Sequence, residues 1–142
     1  MKKTILFAFS ILIAVSAFGG KKREADSRLQ QVKTVFIRGA SEEAAKAREK
    51  IEKRTCYRLA LSPDKADAIL EIERSVLTGA VSATMTTKNG EIIWSGDSSG
   101  NKLASPHGIE ANIDLLFRRL QNDAWPGSVK AFHGPDLSIC PR

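Results

Sequence analysis

Between residues 66 and 96, apolar and polar residues alternate in a way that predicts three consecutive antiparallel strands. Leu70, Ile72 and Val76 alternate with Glu71, Glu73 and Leu77; Val81, Ala83 and Met85 alternate with Ser82, Thr84 and Thr86. A period of two puts one set of side chains on a buried face and the other outside. Thr78-Gly79 marks the first turn. Lys88-Asn89-Gly90-Glu91 marks the second, because Asn and Gly both tolerate the positive φ of a tight hairpin. Trp94 follows in the third strand, beside Ile92.

Upstream, Val35, Phe36 and Ile37 make a nearly continuous apolar run within residues 32–38, as in a strand that is central or covered on both sides. After Gly39-Ala40 the pattern turns helical from Ser41 to about residue 54. Ser41 is an N-cap, Glu42 and Glu43 occupy the first turn, and Lys50, Lys53 and Arg54 the last, an order that suits the helix dipole. Ala40, Ala44, Ala47 and Ile51 share one face, small enough for close approach to a sheet. Lys46, Glu49, Lys50 and Lys53 form the opposite face, read as solvated with helical salt pairs. Residues 57–61 predict a short strand with Tyr57, Leu59 and Leu61 on one side, which completes a βαβ unit. Ser62-Pro63-Asp64-Lys65 suits a single helical turn.

Downstream, residues 96–108 are rich in Gly, Ser and Asn and read as an exposed connection. Ile109, Ile113, Leu116, Phe117 and Leu120 then form one stripe of a second helix over residues 109–122. The tail, 128–142, is expected as coil fixed by Phe132 and Cys140. No internal repeat and no second domain is read. The expected fold is α+β: a two-layer sandwich over residues 31–142, with a mixed sheet of about five strands in β-α-β-β-β-β-α order and two main helices.

The first residues change the picture of where the chain works. Met1-Lys2-Lys3 is a short basic segment, residues 4–18 are uncharged and apolar, and small residues follow. That is the layout of a secretory signal peptide over residues 1–19, with cleavage after Ala17 or after Gly19 as alternatives. The apolar run is shorter than the ~20 residues that span a bilayer comfortably, which disfavours an uncleaved anchor. No cysteine stands near the cleavage region to carry a lipid. Residues 20–30, with Lys21-Lys22-Arg23, read as a flexible lead-in. The expected location is therefore secreted or periplasmic, with no stable membrane insertion after cleavage. In such a compartment Cys56 and Cys140 are expected to be bonded, against the alternative of two separate buried thiols. Removing Lys2 and Lys3 from the 22 basic residues leaves 20 against 16 acidic, a net charge of +4. That balance points to solubility first and anionic envelope surfaces second; nucleic acid is not an expected partner.

Candidate chemistry is sparse. Ser105, His107 and Asp97, or His133 and Asp136, supply the groups of a nucleophile and base, but no G-x-S-x-G flanks these serines. Glycines 96 to 100 lack the lysine-serine ending of a phosphate loop. Two cysteines and two distant histidines match no metal-site spacing. No catalytic residue, metal or cofactor is expected. The remaining candidates are Trp94, Arg118, Arg119 and Trp125. Both tryptophans are core if they lie on the helix-covered face; either one exposed beside the arginines makes an aromatic-basic partner patch.

The order of pieces carries a resemblance. Ala66-Asp67-Ala68-Ile69-Leu70-Glu71-Ile72 enters a strand, and Asn89-Gly90 turns into Glu91-Ile92-Ile93-Trp94-Ser95. Over residues 32–95 this resembles the envelope modules related to the TolB amino-terminal domain, the curli-secretion protein CsgG and the penicillin-binding-protein activator LpoB. The chain departs from them in lacking a lipid-bearing cysteine or a propeller, and in carrying Cys140 in its tail. The resemblance implies an envelope adaptor that binds another protein, and carries over no functional residues. The expected function is thus an exported non-catalytic binding or assembly module. The alternative is a small secreted ligand-binding protein or hydrolase using residues 96–108 and His107.

Overall fold

A computed structural model describes residues 27–98, 108–129 and 134–141. Five strands form one mixed sheet: β1 (Thr34–Arg38), β2 (Arg58–Leu59), β3 (Ala68–Arg74), β4 (Val81–Thr87) and β5 (Ile92–Asp97). Their spatial order is β2-β1-β3-β4-β5. β1 is parallel to both neighbours, and β3, β4 and β5 form an antiparallel meander. Among the described residues three α-helices accompany the sheet: α1 (Ser27–Gln31), α2 (Glu42–Arg54) and α3 (Ile109–Ala124). The fold is the expected α+β class with two main helices.

Alternation explains the core. Val35, Ile37, Ala68, Leu70, Ala83 and Met85 are almost wholly buried on one sheet face. Against them lie Ala44, Ala47 and Ile51 of α2 and Ile113, Leu116, Phe117 and Leu120 of α3. Ser41 caps α2, its hydroxyl accepting from the Ala44 amide at 3.2 Å. β2 has only two residues, and the return to β3 passes the start of β1 through a 3-10 turn at Pro63–Lys65. Asp67 fastens that return. One of its carboxylate oxygens accepts from the amides of Lys33 and Thr34, each at 2.9 Å, and from the Thr34 hydroxyl at 3.0 Å.

This carboxylate makes stability depend on pH. Desolvation pushes its pKa up, but the hydrogen bonds from Thr34 and Lys33 outweigh that and hold it below the usual value. A group with a lowered folded pKa contributes stability that is complete above the unfolded value near 4 and is lost as pH falls through the folded one. Urea unfolding is therefore expected to show a loss as pH falls below about 4 that Asp67→Asn removes. Equal pH slopes in the two chains would contradict the role given to Asp67.

Five local expectations are corrected. Residues 27–30 are not flexible lead-in: α1 forms there because Leu29 is buried in the core and its carbonyl accepts from the Tyr57 hydroxyl at 3.1 Å. Leu61 does not join Tyr57 and Leu59 on a packed side; it is 90% exposed, since β2 ends at Leu59 and the chain turns away. Ala40 is exposed and lies outside α2, whose buried face begins at Ala44. The cationic face of α2 is not merely solvated. Lys50 and Arg54 each reach Asp114 of α3 at 3.1 Å, and Lys46 reaches Glu110 at 2.9 Å, beside a helical pair with Glu49 at 3.8 Å. Val76 does not continue the buried face of β3, which ends before it; its side chain is exposed. Phe132 lies outside the described residues. The described part of the tail carries a bridge between Val129 and Pro135 and a 3-10 turn at Leu137–Ile139.

Candidate functional site

The β3–β4 connection leaves the core at Arg74. That residue occupies an inward-facing position in the alternation, and its charge pairs with Glu43 of α2 instead of entering the core. From there the chain turns through Gly79, whose φ of +69° suits glycine. The Ser75 amide donates to the Ala80 carbonyl at 2.8 Å, the Gly79 amide to the Ser75 carbonyl at 2.9 Å, and the Asn112 side chain to the Gly79 carbonyl at 3.2 Å. This braced tip carries Val76 and Leu77 at 98% and 96% exposure. Two adjacent aliphatic side chains thus face solvent on an anchored turn. Alternation read Val76 as buried and Leu77 as outward; both face solvent. The signal that finds them is Arg74 itself, a charge in the inward row that marks where the buried face ends.

The four residues of the expected aromatic-basic patch do not form one exposed surface. Trp94 is 6% exposed and faces α3, its indole N–H donating to an Asp123 carboxylate oxygen at 2.9 Å. Trp125, at the end of α3, is half-buried and packs on Tyr57 with ring centroids 5.3 Å apart. Burial pushes the Tyr57 phenol well above its usual pKa, so it stays a neutral donor. Arg118 and Arg119 are half-buried and line a groove of about 370 Å³ with Ser98, Leu115, Asn122 and Asp123. Arg119 donates to the Asp97 carbonyl and lies 3.6 Å from the Asp97 carboxylate. No ion pair or hydrogen bond joins Arg118 to another described residue. The groove therefore brings the arginines together with the back of the Trp94 environment, while Trp125 faces elsewhere.

Cys56 and Cys140 are bonded, as expected. The fully buried Gln121 holds Cys56 in place: its carbonyl oxygen accepts from the Cys56 amide at 2.9 Å, and its amide nitrogen lies 3.3 Å from the sulfur. Ser105, His107 and His133 lie outside the described residues. Asp136 caps the 3-10 turn of the tail through the Ser138 amide at 3.0 Å. Among the described residues no three His, Cys, Asp or Glu side chains are grouped to hold a metal, and no helix is long and apolar enough to cross a membrane.

No protein-family model matches the chain, and no curated protein does. Among solved structures it is similar to an uncharacterized lipoprotein B from Nitrosomonas europaea, at 11% identity and a TM-score of 0.46, covering 68% of this chain and 86% of that one. It is also similar to the PelC dodecamer from Paraburkholderia phytofirmans in two crystal forms, at 17% and 15% identity. Those matches cover 65% and 70% of this chain and 85% and 90% of PelC, with TM-scores of 0.40 and 0.41. At these scores the likenesses carry no argument about what this chain does.

Proposed function

We propose that this chain is an exported, non-catalytic binding or assembly module of the cell envelope that works through contacts with another protein. The observation that carries the reading is the hairpin tip, where Val76 and Leu77 are 98% and 96% exposed on a braced turn. Burying one such side chain contributes about 1.5–3 kcal/mol. A turn already fixed by its own hydrogen bonds loses little freedom on docking. The basic-then-apolar first 19 residues and the Cys56–Cys140 crosslink support export to an oxidising compartment. The resemblance to the TolB, CsgG and LpoB modules supports an adaptor role.

A second reading, a secreted ligand-binding protein or hydrolase at residues 96–108, draws on the groove beside Ser98, Arg118 and Arg119. Crosslinking and capture from the protein's own envelope fraction separate the two. Val76→Asp with Leu77→Asp is expected to abolish capture of a stoichiometric protein partner while folding stability stays within about 0.5 kcal/mol. His107→Ala is expected to leave capture unchanged. A co-purifying small molecule or glycan with no protein partner would favour the second reading.

A further inference from the structure

Away from the hairpin tip, a cleft of about 260 Å³ opens where the start of β1, the edge strand β2 and the disulfide meet. Val32, Cys56 and Pro141 supply its apolar wall, and Trp125 one aromatic side. Lys33 and Arg58 line it as well, and none of its described lining residues is acidic. The nearby carboxylates are committed to backbone amides: Asp67 to those of Lys33 and Thr34, and Glu52 to that of Leu59 at 3.0 Å. No described residue pairs with the Lys33 ammonium or the Arg58 guanidinium, and none accepts from the Trp125 indole N–H. Among the described residues β2 pairs with β1 and with no further strand.

We propose that this cleft is a binding site for a small organic anion with a planar or apolar body, such as a carboxylate on a single ring. The ring lies against Trp125, which packs on Tyr57, and the carboxylate is met by the cations that line the cleft, Lys33 and Arg58. Cation and N–H donors without protein partners favour a charged acceptor over a neutral one. A volume at the small end of ligand sites limits the body to about one ring system. The site is independent of the protein contact assigned to the hairpin tip.

The test uses the oxidised chain, labelled with nitrogen-15, titrated with benzoate and separately with its neutral isostere benzamide. Benzoate is expected to shift the Trp125 indole N–H saturably. The Trp94 indole N–H, bonded to Asp123, serves as the unmoved reference. Benzamide is expected to bind about tenfold more weakly, as is benzoate to the Lys33→Gln, Arg58→Gln double variant. No saturable shift at Trp125, or equal affinity for benzamide, would overturn the assignment. Wild-type affinity in a folded double variant would overturn it too. The benzoate–benzamide comparison on the unaltered chain decides the question even if that variant does not fold.

Discussion

Serine at both positions 56 and 140 is expected to lower stability by about 2–4 kcal/mol, the largest loss from any change away from the apolar core. The crosslink joins positions 84 residues apart, so opening it returns a long loop to the unfolded ensemble. The tail folds back on itself through the Val129–Pro135 bridge and the Asp136 amide donating to the Ser128 carbonyl at 2.8 Å, and the Ser128 hydroxyl donates to the Gln121 carbonyl of α3 at 3.4 Å. Cys56 itself stays fastened through Gln121, so the loss falls on the tail and on the walls of the cleft beside Trp125. Urea unfolding of the oxidised and reduced chains measures the difference directly. A change below about 0.5 kcal/mol would show that the tail contributes nothing to holding the fold.

The second large effect lies at Gly96. A Cβ placed there would stand 2.5 and 2.7 Å from two carbons of the Trp94 ring. The indole cannot swing aside freely: it is 6% exposed and held to Asp123 by its N–H. Gly96→Ala must therefore displace β5 or the ring, an overpacking that costs about 1–3 kcal/mol. The cost is specific to the contact, so it should shrink when Trp94 is first replaced by leucine. A double-mutant cycle by chemical denaturation reads this coupling. The same cost for Gly96→Ala in both backgrounds would mean that the ring is not what reserves this position for glycine.

Much of the fold is legible in the sequence because its signals are local. Leu70, Ile72, Val81, Ala83 and Met85 alternate within their own strands, and Asn89-Gly90 turns between two of them; Ser41 and the Ile109–Leu120 stripe mark the helices. What failed depended on neighbours distant in sequence. Lys46 and Lys50 read as solvated because α2 alone does not reveal that Glu110 and Asp114 of α3 lie alongside. α1 is too short for a period and exists through one buried leucine and its contact with Tyr57. The cleft draws Lys33, Arg58, Trp125 and Pro141 from separate segments, so no motif announces it. Trp94 and Trp125 illustrate the same limit: residue type marked both as notable, but only the packing of α3 decides which surface each one faces.

The proposed function requires the β3–β4 tip to meet another protein, and a photo-crosslinking residue at position 77, in the protein within its own cells, probes that contact. Position 89, in the turn between β4 and β5 at the other end of the meander, is the control. A discrete protein adduct from position 77 and none from position 89 is the predicted result. No adduct from position 77, or the same adducts from both positions, would contradict a docking role for Val76 and Leu77.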